Sequence, residues 1–259
     1  MHRKIKQILI ILFYLLMFSG FIGFLYWYFT QPTCNDQKQN QGELGVDCGG
    51  PCAQTCQQNP DLEPLQVHDP EIISNQNNYD VVFYLKNDNS KYGFNQIQYD
   101  LNFFSGSEQL TCFRSGQTYI LPNQDRPVVE LNINCPKAPD QAKITINNQR
   151  LHEFKDYNRP SLEILNLDYQ HTQTGGSYFE IIFQVVNRSD YSFKQIDIIA
   201  VVRDQNGQAI ALNQGNINSV YTQDKRDFRF FWAEPFDGQV KYVDVEAFSD
   251  VFSLSNLVH

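Results

Sequence analysis

Charge is what this sequence has little of. Asp, Glu, Lys and Arg supply 19% of its 259 residues, below the usual quarter, and the balance is acidic, at −9. Such a chain lacks the basic surface that a polyphosphate needs, which argues against nucleic acid as the natural partner. Histidine is also sparse. No two of His2, His68, His152, His171 and His259 stand at H-x-x-x-H spacing. His68-Asp69 and His152-Glu153 are adjacent pairs, but neighbours on a strand point to opposite faces. No G-x-S-x-G, G-x-x-x-x-G-K-[ST] or G-x-G-x-x-G occurs. The sequence therefore names no catalytic residue and no obligatory cofactor, and it reads as a non-enzyme. Met and Trp number two each, against 20 Phe, 14 Tyr and 49 Asn plus Gln. A chain this aromatic can bury a core, which excludes wholesale disorder.

Long apolar runs are absent except at one place. Residues 1–7 carry Arg3, Lys4 and Lys6; residues 8–29 follow without a charge and close on Tyr26, Trp27, Tyr28 and Phe29. Twenty-two helical residues span about 33 Å, enough for a hydrocarbon core of about 30 Å. The aromatic end suits a bilayer interface, and the basic flank places residues 1–7 in the cytoplasm and all that follows Thr30 outside. A cleaved signal peptide is the rival reading; it would have a shorter apolar region ending in small residues. The 17 basic and 29 acidic residues beyond Thr30 leave −12 on the expected ectodomain, which an anionic membrane surface would repel.

The six cysteines, Cys34, Cys48, Cys52, Cys56, Cys112 and Cys135, all lie beyond that run. An even number in an oxidising compartment predicts three disulfides. Four fall within 23 residues of a neck and linker, 30–64, that has too few apolar side chains for a core, so cross-links must stabilise it. Sequence leaves its three possible pairings open. C-x3-C-x3-C is not a usual zinc spacing. Asp36, Asn40, Glu43 and Asp47 offer the oxygen ligands that Ca²⁺ takes, without EF-hand spacing. Cys112 and Cys135 would staple neighbouring strands further on.

Beyond Pro64 the chain repeats itself with a period near 100 residues. Residues 82–87, VFYLKN, align with 182–187, IFQVVN; 94–97 with 193–196; 124–125 with 223–224; Leu131 and Ile133 with Phe230 and Trp232. That period is far longer than a solenoid unit, so each copy is a domain. Period-two alternation marks strands at Ile196, Ile198, Ala200 and Val202, at Phe228, Phe230 and Trp232, and at Tyr99, Leu101 and Phe103. Gly175-Gly176, Asn206-Gly207 and Asp237-Gly238 mark turns. The expected fold is all-β: two tandem immunoglobulin-like β-sandwiches, 65–150 and 160–258, after a transmembrane helix.

Two stretches resemble known sequences. Residues 39–52, QNQGELGVDCGGPC, look like a cysteine motif of bacterial surface proteins, which implies an envelope location and no activity. FQVVN (183–187), AVVRDQNG (200–207) and YTQDKRDFRF (221–230) are similar to the FxLYD-type domain, an immunoglobulin-like sandwich of extracytoplasmic bacterial and archaeal proteins. Ala200, Asp204, Gly207 and Phe228 match its pattern, and Val202-Arg203 replace its Leu-Tyr pair. The resemblance implies fold and location and carries no catalytic residues.

Together these readings describe a single-pass cell-membrane protein whose bulk is extracytoplasmic. Its expected role is a binding or structural module of the cell envelope with a protein partner there, in adhesion, assembly or scaffolding. An accessory or Ca²⁺/ligand-sensing subunit of an envelope membrane complex is the alternative. Tyr79, Tyr92, Tyr99, Tyr157, Tyr169, Tyr178, Tyr191 and Tyr221 exceed what two small cores need and are read as a contact or carbohydrate-stacking surface.

Overall fold

A computed structural model describes residues 2–29, 34, 37, 39, 42–44, 46–54 and 62–258 apart from 107–108, 156 and 173–175. The chain divides into two compact units, 1–61 and 62–259.

The first unit opens with α1, His2–Phe29. Its stretch Arg3–Trp27 is long and apolar enough to cross a membrane, and its most apolar window has no buried residue. A helix apolar on every face has no polar side to offer water. In the neck, Cys34 and Cys52 form a disulfide with Cα atoms 5.7 Å apart, and Cys48 is disulfide-bonded too; Cys56 lies outside the described residues. The two glycines after Cys48 have a physical reason. Gly49 and Gly50 take φ of 69° and 57°, and a Cβ on Gly50 would run into the Gly42 carbonyl oxygen. Only glycine tolerates both conditions.

The second unit is all-β and antiparallel. Its first half contains β1 (Gln66–Val67), β2 (Glu71–Asn75), β3 (Asn78–Asn87), β4 (Tyr92–Ser105), β5 (Gln109–Ile120), β6 (Gln124–Ile133) and β7 (Gln141–Glu153). In one sheet β3 pairs with β1 and β2 on one side and β6 on the other; in the second the order is β5-β4-β7. The second half contains β8 (Leu162–His171), β9 (Phe179–Asn187), β10 (Ser192–Arg203), β11 (Ala209–Val220), β12 (Lys225–Trp232), β13 (Tyr242–Phe248) and β14 (Leu257–Val258). Its sheets are β12-β9-β8 and β11-β10-β13, with β14 also on β10. The connectivity repeats strand for strand once β1 and β2 together are set against β8.

The repeated Asn at the strand ends works as a clamp. Buried Asn87 donates through Nδ2 to the carbonyls of Tyr92 and Leu121, and its Oδ1 accepts from the Asn89 N–H. Buried Asn187 does the same with Tyr191, Val220 and Ser189. In each half one side-chain amide thus ties together three stretches of backbone, which no apolar residue could do. The backbone also corrects the repeat alignment. Gln124 accepts from the Leu121 N–H as Asp224 does from Tyr221, so Gln124 pairs with Asp224, at a period of 100. One residue reverses a strand's faces: Leu131 is then the counterpart of outward-facing Phe231, not of buried Phe230.

Each half encloses a core between its two sheets, one around Phe83, Ile97, Leu101 and Phe103, the other around Phe179, Phe183, Phe193, Ile196 and Ile198. A third core joins them. Ile73, Val82 and Val129 of the first half pack on Ile199, Val201, Leu212 and Phe248 of the second. Strands β3 and β10 are consequently covered on both faces. Cys112 and Cys135 form the expected disulfide, at the first core's edge.

Candidate functional site

The junction of the two halves, all within residues 62–259, carries the candidate sites. One wall is fixed by Arg203 at the end of β10, only 10% exposed in its side chain. Its Nε donates to Asp244 at 2.9 Å, its Nη1 to Glu71 at 3.3 Å and its Nη2 to the Tyr84 hydroxyl at 2.6 Å. Glu71 also accepts from the Ala209 N–H at 2.9 Å. Burial alone would lower the guanidinium's pKa, but Tyr84, Asp244 and Glu71 outweigh it and hold it above its ordinary value. Nearby, the Asp204 carboxylate accepts from the N–H groups of Asn206 and Gln208, and Gly207 closes the turn at φ 80°. These two residues build the hairpin turn expected of them.

Along the same junction opens a cleft of about 520 Å³. Leu131, Phe231, Trp232 and Phe236 give it apolar walls, and Asp80, Glu234 and Asp237 give it carboxylates; among the described residues no Lys or Arg lines it. Phe231 is 58% exposed, while Trp232 and Phe236 pack on Phe179 behind it. Asp80 is buried: Oδ1 accepts from the Asn132 N–H at 2.7 Å and Oδ2 from Asn75 Nδ2 at 2.9 Å. Burial raises its pKa, and those two bonds act against the rise. The cleft combines aromatic faces with negative potential, an arrangement that attracts cations and neutral ligands and repels anions.

A second cleft, of about 530 Å³, lies between β5–β6 and β10–β11. Arg126, 5% exposed, lies in its wall, with its guanidinium between the rings of Tyr119 and Phe248, 4.3 and 4.6 Å from their centroids. Nη1 donates to the Tyr119 carbonyl at 3.2 Å. Arg126 Nε and the Tyr119 hydroxyl have no hydrogen-bond partner among the described residues. Burial pushes the Tyr119 hydroxyl up to about 12, and the Arg126 guanidinium beside it opposes the rise. A buried polar group left unpaired costs about 1–3 kcal/mol.

The neck residues serve internal roles. Glu43 is buried, with Oε2 accepting from the Asp47 N–H at 3.3 Å. Both Asp47 oxygens accept from the Gln37 N–H, at 3.2 and 3.0 Å. Asp36 and Asn40, the other two calcium candidates, lie outside the described residues. Glu43 Oε1 lies 3.2 Å from Cys52 Sγ, but a sulfur in the Cys34–Cys52 disulfide carries no proton and is no thiolate ligand, so Cys34, Glu43 and Cys52 do not make a metal site.

The tyrosine surface needs correcting. Of the eight, only Tyr169 and Tyr221 are exposed; Tyr99 is buried, with its hydroxyl donating to Glu130 at 2.7 Å, and the other five are half-buried. The rings are amphipathic and lean on the cores. Sequence reasoning missed Phe231, which is apolar, outward-facing and in a cleft, and Arg126 and Tyr119. Their signal was a local break in alternation at Phe230-Phe231, and an Arg two residues before the Val128-Val129 pair of β6. Compared with family models and with curated proteins, the chain has no match.

Proposed function

We propose that this chain is a membrane-anchored extracytoplasmic binding or structural module of the cell envelope, built from two FxLYD-type immunoglobulin-like domains. It engages a protein partner at the acidic, aromatic cleft between them. In this reading α1 is an uncleaved anchor, residues 1–7 are cytoplasmic, and the disulfide-stapled neck holds the β unit outside. The observation that carries it is the third core. Two halves that share buried Val82, Val201 and Leu212 present the cleft as a fixed surface, not as a gap between free domains. A preformed pocket binds with less loss of conformational freedom. The apolar helix and the disulfides support the envelope location. No catalytic role is assigned.

The test is a photo-crosslinking residue in place of Phe231 in the full chain, irradiated in intact cells and read by mass spectrometry. We expect a discrete adduct that disappears when Glu234 and Asp237 are both changed to Lys. An adduct indifferent to that reversal, or none at all, counts against the cleft as the docking site. Protease shaving of the same cells checks the topology: the β unit should be cut while a cytoplasmic control survives.

A further inference from the structure

The second cleft, around Arg126 and Tyr119, is independent of the docking cleft and has a chemistry of its own. Arg126 and Tyr119 are among its lining residues, and two of their hydrogen-bond donors, Arg126 Nε and the Tyr119 hydroxyl, are buried without an acceptor among the described residues. Arg126 has no carboxylate within ion-pair distance among the described residues. Unsatisfied buried groups are rare in folded proteins, and each calls for a reason. Here both point to the same missing partner, an oxygen with lone pairs. A carboxylate or phosphate could supply one, but Glu130 and Asp197 also line the cleft and would repel it. A cation would meet Arg126. The remaining lining is neutral and bifunctional, with Gln117, Gln214 and Asn216 offering both donors and acceptors.

We infer that this cleft binds a neutral, hydroxyl-rich ligand of the saccharide class. A sugar hydroxyl both accepts and donates. It can therefore accept from Tyr119 or Arg126 while donating to Asp197, which no simple ion can do. About 530 Å³ lies within the range of small-molecule sites. Both donor atoms are buried, so binding includes a side-chain shift that brings them to the ligand, a change common at binding sites.

The experiment uses the full chain in nanodiscs, titrated with maltotriose, cellotriose and triacetylchitotriose as neutral probes, sialyllactose as an anionic probe and spermidine as a cationic one. The expected result is saturable binding of at least one neutral trisaccharide, insensitive to salt. Tyr119→Phe removes one hydroxyl and should weaken it at least 5-fold, without lowering the Tm of the free protein, since no hydrogen bond is lost from the fold. Gln214→Ala, at the cleft's edge, serves as a second variant and should weaken binding about as much. If none of the neutral trisaccharides binds, or one binds equally to wild type, Tyr119→Phe and Gln214→Ala, the assignment is overturned. Selective, salt-sensitive binding of sialyllactose or of spermidine overturns it as well.

Discussion

Arg203 Nη2 donates to the Tyr84 hydroxyl across 2.6 Å, joining β10 of the second half to β3 of the first. The same guanidinium holds Glu71 and Asp244, so one side chain ties three elements at the rim of the shared core. Arg203→Lys keeps the charge and loses the fork. Glu71 and Asp244 are partly solvated, so the loss should be about 1–2 kcal/mol, less than for a fully buried pair. In urea denaturation, combining it with Tyr84→Phe should show a coupling of about 0.5–1.5 kcal/mol. Strict additivity would mean that the contact contributes nothing.

The shared core predicts how the β unit unfolds. Ile199 and Val201 of β10 belong to the junction, while Ile198 and Ala200 belong to the second half's own core. Ile199→Ala should cost about 2–4 kcal/mol and lower a single transition that both halves share. Two calorimetric peaks, only one of which moves, would show that the halves unfold independently.

Trp232 is half-buried, against Phe179, Phe230 and Phe236. Trp232→Ala should therefore cost about 2–3 kcal/mol, near or below the lower end for a buried indole. The chain has only one other tryptophan, Trp27. In a Trp27→Phe background the emission of Trp232 alone reports on the docking cleft, and a captured partner should shift it.

Glu246 supplies a pH dependence. Burial, then the negative charges of Asp125 and Asp244, raise its pKa above the ordinary 4.5. A carboxyl with a raised folded pKa binds its proton more tightly in the folded state. Its contribution to stability is therefore complete below the ordinary value and drains away as pH rises through the folded one. Glu246→Gln should remove that loss, raising Tm at neutral pH by about 2–4 °C for each kcal/mol recovered, with no gain at pH 4. Melts at both pH values decide it; an equal shift at each would point to packing in place of titration.

The Cys112–Cys135 bridge closes a sequence separation of 23 residues. Cys112→Ala with Cys135→Ala should destabilise the β unit by about 3 kcal/mol if chain entropy dominates. The neck bridge Cys34–Cys52 lies in the other unit, so its removal should leave that transition unmoved while making the neck more sensitive to protease.

Local chemistry made much of this protein legible. An uncharged run over residues 8–29, cysteines confined to the chain beyond it, alternation in β4, β10 and β12, and Asp204 with Gly207 each act through near neighbours in sequence. Spacing and residue type suffice to read them. The repeat was legible as well, but only to within one residue, because aligned strings do not reveal which side of a strand a residue occupies.

What the amino-acid sequence determined by itself is thus a helix able to span a membrane, an oxidised neck and two similar β halves. What only the tertiary structure decided is that the halves share a core. That junction makes the outward face of β10 apolar at Ile199 and Val201, places Arg203 against Tyr84, and leaves Arg126 and Tyr119, which line a cleft, with buried donors that have no acceptor among the described residues. The physical reason is that period two sets which residues share a face. What that face meets depends on strands more than a hundred residues away.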